Sequence, residues 1–181
     1  MVPQFETARL VLRPLTLADE FEIQRVFPQW EIVRWLDAKV PWPYPSDGAR
    51  AFLEKVALPE MAMGTGWHWG IFRHEEPEVM IGEITLQDVE RHNRGFWIDP
   101  QWQGRGYAGE AADIVTEYWF ETLDRSVLHV PKASTNLASR RISERQGMHV
   151  IDHFIGELVE GPCPFELWEL TRKEWRDRLR S

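Results

Sequence analysis

The richest stretch for chemistry is Pro100-Gln101-Trp102-Gln103-Gly104-Arg105-Gly106-Tyr107-Ala108-Gly109, which separates a strand-like run, Gly95–Asp99, from a segment of helical periodicity. A helix start presents backbone N–H groups without intrahelical partners and the positive end of the helix dipole, and glycine lets an anion approach them without a Cβ in the way. The spacing predicts an anion-binding, phosphate-type loop; turning the chain is the plainer use of the same glycines. Gly104-x-Gly106-x-x-Gly109 also spells the dinucleotide fingerprint, with Asp124 twenty residues beyond Gly104. In that fold the strand runs almost directly into the first glycine and the acidic residue ends a second strand. Here Pro100 to Gln103 intervene and Asp124 precedes a strand, so an NAD-dependent oxidoreductase is the less favoured reading. The six histidines (68, 74, 92, 129, 149 and 153) form no HExxH pattern and only Cys163 could join them, so no metal is expected. There is no G-x-S-x-G elbow and no recognisable cysteine nucleophile, which favours direct transfer over a covalent enzyme intermediate.

The elements around this loop follow from periodicity. Residues 8–15 alternate as a half-buried strand, and Thr16-Leu17-Ala18-Asp19 has the spacing of a capping box opening a helix that Pro28 ends. The stretch 30–45 has room for a short helix before its prolines, and Ser46 is expected to cap a helix through Phe52, Leu53 and Val56. Three strands with short turns follow, at 67–73, 79–86 and 95–99, an antiparallel meander. Ala108, Ala111, Ala112, Val115, Trp119 and Leu123 form the apolar side of a helix over 107–123. A strand at 127–134, a helix at 137–146 stopped by Gly147, strands near 149–158 and 165–170, and a helix opened by Thr171-x-x-Glu174 complete the chain. This order gives an α/β (α+β mixed sheet) class: a largely antiparallel central sheet with one parallel step across the helix at 107–123.

Composition bounds the possibilities further. The 181 residues, 43% of them hydrophobic and 28% charged, suit a single domain over 1–181. With 21 basic and 29 acidic residues the formal charge is −8 and the basic residues form no stripe, which argues against nucleic-acid binding and for a cationic or neutral partner. Residues 94–147 carry seven charges of each sign, so the acidity lies elsewhere. No apolar run reaches the roughly 18 residues of a membrane span. A lone cysteine and a start without signal-peptide features make the cytoplasm the expected address.

Gln101-x-x-Gly104-x-Gly106, then Asn136-Leu137-Ala138-Ser139, then Glu144-Arg145-Gln146-Gly147-Met148, stand in this order with the ARLVLRPLT opening and the IGEITL strand. Together they resemble the GNAT acyl-CoA N-acyltransferase family, most nearly its RimJ/RimL-type protein N-acetyltransferase branch, over nearly the whole chain. The resemblance implies a single GNAT-like domain with helices on both faces of the sheet and acetyl-CoA as the acetyl donor. It also implies an amine acceptor, either a peptide N-terminus or a small molecule, and allows a homodimer. It assigns the coenzyme A pyrophosphate to the backbone of Gln103, Gly104, Arg105, Gly106, Tyr107 and Ala108. Pantetheine is assigned to the strand Phe96, Trp97 and Ile98, and to Asn136 with Ser139 beside it. The Ile98 amide is then the natural oxyanion donor. Arg105, Arg140 and Arg141 could neutralise phosphates, while Arg145 reads as a solvated helix residue.

Acetyl transfer needs an acceptor for the amine proton and a proton for the leaving thiolate. Glu83, expected on the face opposite Ile81, is the first candidate base, Asp99 the second, and water the third. Many family members place a tyrosine seven residues after the asparagine as the acid; here that residue is Ser143, and Ser139 is the expected substitute. Loss of that tyrosine keeps a non-catalytic acyl-CoA-binding or sensing module open as an alternative. Of the ten tryptophans, Trp35 and Trp42, with Trp30 and Tyr44, cluster in the helical insert, where aromatic faces could hold an acceptor ammonium.

Overall fold

A computed structural model describes residues 2–180 of the protein. In chain order the elements are β1 (Phe5–Glu6), β2 (Leu10–Pro14), α1 (Glu20–Val26), α2 (Trp30–Val33), α3 (Gly48–Phe52), α4 (Leu58–Met63), β3 (Gly66–Arg73), β4 (Glu76–Gln87) and β5 (Arg94–Ile98). Then come α5 (Tyr107–Glu117), β6 (Val127–Ala133), α6 (Leu137–Arg145), β7 (His149–Leu158), β8 (Gly161–Thr171) and α7 (Arg172–Leu179). Both expected capping-box spacings are used: the Asp19 carboxylate accepts from the Thr16 amide at 2.8 Å, and Glu174 accepts from the Thr171 amide at 2.8 Å. The helix expected from Ser46 instead starts at Gly48, with Asp47 at the cap position, and continues into α4 through one wider turn at 53–57. The helix expected over 107–123 is α-helical to Glu117 and widens over 118–122. The two-residue strand β1 is too short to carry a periodic signal.

Two antiparallel sheets replace the single mixed sheet anticipated from the element order: β1-β2-β3-β4-β5 and β6-β8-β7. They meet at Asn93, whose amide donates to the His129 carbonyl at 2.8 Å while its Oδ1 accepts from the His129 amide at 2.8 Å. Beyond this point the parallel step lapses, for a reason that lies in the backbone. Arg172 N–H donates to Ser126 O and Ser134 N–H to Pro164 O, so the even-numbered residues of β6 bond to β8 and the odd-numbered ones face β5. After His129 the next odd residue is Pro131, which has no N–H to give. The strands therefore part, and β5 and β6 become the walls of a cleft.

The two faces of the first sheet are each covered. On one, Trp67, Trp69, Ile71, Ile84, Leu86 and Ile98 pack against Ala111, Ala112 and Val115 of α5, with Leu128 and Val130 of β6. On the other, Phe72, Met80 and Trp97 pack against Ile23, Val26, Phe27, Leu53 and Ala57 of the α1–α4 insert. A bulge matters here: β3 pairs Ile71 with Gly82 and Phe72 with Met80, leaving Ile81 as an extra residue. Strict alternation would put Ile81 and Glu83 on one face, so the opposite placement expected for them comes from this bulge and not from alternation. The bulge returns Ile81 to the α5 side and leaves Glu83, paired in register with Gly70 and Trp97, on the insert side.

Candidate active site

Gly104 and Gly106 have φ of +73° and +84°, the left-handed region that a side chain makes costly. An added Cβ at Gly104 would meet nothing within 4 Å, so conformation, not crowding, requires glycine there. Gly106 is the residue before the first turn of α5. The Arg9 guanidinium, which also lies 4.6 Å from the Tyr107 ring centre, donates to the Arg105 carbonyl at 3.0 Å. Because the C=O and N–H of one peptide point opposite ways, this contact aims the Gly106 N–H away from Arg9, out of the loop. Gly109 serves packing: a Cβ there would collide with the Arg145 guanidinium. The third glycine of the apparent dinucleotide fingerprint is thus explained by a helix contact. Arg145 itself is exposed, as expected of a solvated helix residue, and lays its guanidinium over Gly109.

The loop joins the cleft through Gln103, whose Nε2 donates to the Ile98 carbonyl at 2.9 Å. Asp99 N–H donates to Ile81 O, so in β5 the odd residues bond to β4, and the N–H groups of Phe96 and Ile98 face away from β4. Outward N–H groups along one strand, followed by open left-handed glycines at a helix N-terminus, fit an extended amide-bearing chain that ends in a pyrophosphate, as coenzyme A does.

Glu83 is only 4% exposed. Its Oε2 accepts from Trp97 Nε1 at 3.0 Å and its Oε1 lies 3.2 Å from His68 Nδ1. On the other side of the imidazole, Nε2 lies 2.8 Å from Glu60 Oε2, which also accepts from Gln87 Nε2 at 3.2 Å. Burial opposes a charge on His68, but the hydrogen bonds and charges of Glu83 and Glu60 outweigh it and raise its pKa above the ordinary histidine value. Asp99, the other carboxylate considered, caps the turn: its two oxygens accept from the Gln101 amide at 3.2 Å and from Gln101 Nε2 at 2.9 Å.

At the start of α6, Asn136 Oδ1 accepts from the Ser139 amide at 3.1 Å as an N-cap, so a bond from Asn136 to a ligand carbonyl would come from its Nδ2. Ser139 Oγ accepts from Lys132 Nζ at 2.7 Å. Lys132 is only 4% exposed. Sequence reasoning did not single out Lys132, His68, Glu60 or Arg9. For Lys132 a signal existed, since it continues the inward alternation of Leu128 and Val130. The expected phosphate cations divide: Arg105 is exposed beside the loop and Arg141 exposed on α6, whereas Arg140 is ion-paired with Glu166 at 3.0 Å.

The insert aromatics also divide. Tyr44 packs on Phe27 at 4.8 Å, and Phe27 on Trp97 at 5.5 Å. Burial, then the charges of Glu83 and Asp47, push the Tyr44 phenol up to about 12, so it is a hydrogen-bond donor near Glu83 at neutral pH. Trp42 pairs with Trp30 at 5.5 Å in a groove of about 410 Å³ that Ala38, Val40, Leu158 and Val159 also line. Trp35 carries the Arg34 guanidinium 4.7 Å from its ring centre. The four aromatics therefore do not form one cage, and only Tyr44 reaches the surroundings of Glu83.

Comparison with known proteins accords with this geometry. Residues 9–149 match the acetyltransferase (GNAT) domain. An uncharacterised N-acetyltransferase, YoaA of Bacillus subtilis, is 27% identical over 156 residues, covering 81% of this chain and 83% of that protein. The fold is shared with Mycobacterium smegmatis RimJ, solved with a CoA-disulfide, at a TM-score of 0.79 and 17% identity over 91% of this chain and 83% of that one. It is shared equally with spermidine N-acetyltransferase of Vibrio cholerae, solved with CoA and spermine, at a TM-score of 0.76 and 17% identity over 94% and 99% of the two chains. Among the described residues there is no group of three or more His, Cys, Asp or Glu that could hold a metal ion, and no helix is long and apolar enough to cross a membrane. The loop, the parted strands and the domain match agree on one assignment, that the chain belongs to the GNAT family of acetyl-CoA-dependent N-acetyltransferases.

Proposed function

We propose that the protein acetylates a cationic primary amine that enters between the α1–α4 insert and the sheet face bearing Glu83, and that Glu83 takes the amine proton. The observation that carries this reading is the buried Glu83 carboxylate, bridged between His68 and Trp97 and walled by Phe27 and Tyr44. A carboxylate so placed attracts an ammonium and can accept its proton, and an amine freed of that proton is the nucleophile. The Ile98 N–H is the donor available to the carbonyl oxygen as negative charge builds on it. The −8 formal charge favours a cationic acceptor in approach as well. A peptide α-amine and a polyamine amine share the chemistry that this carboxylate would recognise, and spermine bound in one fold relative makes the polyamine a natural first probe. We assign the whole of 1–181 to this one domain, working in the cytoplasm as a monomer or homodimer.

Thiol release from acetyl-CoA, followed across peptide N-termini, polyamines, aminoglycosides and amino acids, tests the reading. Turnover with at least one amine is expected, and none with any of them, together with intact coenzyme A binding, would favour the acyl-CoA-sensing module. Glu83→Gln should lower kcat/KM on the order of 10²-fold or more. Its remaining activity should climb with pH as the amine loses its proton to water, where the wild type has levelled. An unaltered pH profile would remove Glu83 as the base.

A further inference from the structure

Ser139 and Ser143 stand one turn apart on the same side of α6, and their surroundings differ. Ser143 is fully buried and its Oγ has no hydrogen-bond partner, whereas Ser139 Oγ is held by Lys132 Nζ at 2.7 Å. Lys132 stands on β6, the edge facing β5, with its Nζ 5.8 Å from the centre of the Phe96 ring on the opposite wall of the cleft. Its charged surroundings are unfavourable to an ammonium. The carboxylate opposite it in register, Glu166 of β8, is paired with Arg140 of α6. The charge acting on it from β5 is the like-charged Arg94, which Thr116 and Gln146 hold at 2.6 and 2.8 Å. A buried amine bonded to one hydroxyl and faced by another cation costs stability, and a fold keeps such a group where its proton is useful.

We propose that Lys132 supplies, through the Ser139 hydroxyl, the proton that the departing thiolate takes up. The inference rests on the acetyl-transfer reading above. As the acceptor nitrogen bonds to the carbonyl carbon, the C–S bond breaks with its electron pair on sulfur. The Ser139 Oγ–H proton passes to sulfur while a Lys132 Nζ–H proton passes to Oγ, leaving a neutral lysine that regains a proton from water. The nitrogen gives its first proton to Glu83 before attack and its second to water as the amide forms. Glu83 returns its proton to solvent and Lys132 takes one back, so one cycle converts ammonium and thioester to amide, thiol and one released proton. Burial, and then Arg94, hold the Lys132 ammonium well below the ordinary lysine range, which makes it a stronger acid. The sign follows: the acid form is lost as pH rises, at a lower pH than for an exposed lysine.

A binding measurement reads this without turnover. Coenzyme A bound to the wild type, Lys132→Met, Lys132→Arg and Ser139→Ala is titrated with alkali while thiolate absorbance is followed. Beside the Lys132 cation the bound thiol should ionise at a proton concentration about tenfold or more higher than in Lys132→Met, one pKa unit being a tenfold change. Lys132→Arg keeps the charge, and with it the lowered thiol titration, but cannot release a proton, so its kcat should fall about tenfold or more. Coincident thiol titrations in the wild type and Lys132→Met, or wild-type kcat and basic limb in Lys132→Arg, overturn the proposal. A lowered thiol titration with no turnover of any amine would instead sink the transfer reading and leave the pairing of Lys132 with sulfur standing.

Discussion

Glu83 and Lys132 are both buried, and the protein treats their charges differently. Glu83 has a compensating partner, since His68, with its raised pKa, can carry a positive charge between Glu83 and Glu60. Removing the imidazole takes a hydrogen-bond partner away from a buried carboxylate. His68→Ala is therefore expected to lower kcat/KM about tenfold, and a wild-type kcat/KM would show that Glu83 does not need His68 to hold it in place. Asp99 shows why residue type alone does not settle a role. Its spacing before the loop suits a proton acceptor, and its surroundings make it a cap.

At the scale of elements, the loop is as well formed as the strand that braces it. Arg9 lies just before β2, yet it holds the Arg105 carbonyl, stacks on Tyr107 and bonds Glu110 in the first turn of α5, with Nε to Oε2 at 2.7 Å. Glu110 would otherwise set a negative charge beside an anion site. Arg9→Ala should raise KM for acetyl-CoA about tenfold with little change in kcat, because it loosens donors that hold substrate and transition state alike. Equal falls in kcat and kcat/KM would contradict this.

The same cluster gives a stability prediction. Burial opposes the Glu110 charge, but bonds from Thr7 and Arg9 outweigh it and lower its pKa. A carboxylate whose folded pKa is depressed stabilises the fold above its unfolded pKa, and that stability is lost as pH falls through the folded pKa. Glu110→Gln should accordingly lower Tm at pH 7 and converge with the wild type in acid. Parallel Tm curves across that range would refute it.

At the scale of the molecule, function depends on two sheets that join at one end and part at the other. Asn93 is the join: besides bonding His129, its Nδ2 donates to Val89 O at 2.8 Å and Gln87 O at 3.2 Å. Asn93→Ala would leave buried backbone groups unpaired and should destabilise the protein by about 1–3 kcal/mol in denaturant melts. It should also raise KM for acetyl-CoA, because the wall carrying Phe96 and Ile98 loses its anchor. Full stability in this variant would mean that the cores, not Asn93, hold the sheets at their angle.

Much of this organisation is local and therefore legible in the chain. Gly104 and Gly106 before an amphipathic run, Thr171 and Glu174 at capping spacing, and the meander around IGEITL each depend on neighbours in sequence, and their elements form where expected. The glycine loop, by its order with Asn136 and the following Glu-Arg-Gln-Gly-Met, was enough to suggest the family. What only the tertiary structure decided involves the pairing and packing of separate elements. The bulge turns Ile81 to the α5 side, away from Glu83 on the insert side, Pro131 unzips β6 from β5, and Arg9 reaches the loop across the fold. His68 joins Glu83 to Glu60 from a third element, and Lys132 finds Ser139 across a strand-to-helix turn. Periodicity reports which face of its own element a residue takes, and a strand's face can be reversed by one extra residue. Which charges then meet is fixed by packing between elements, and so the loop, Glu83 and Ser139 could be singled out in the sequence while their partners His68, Glu60 and Lys132 had to be found in the fold.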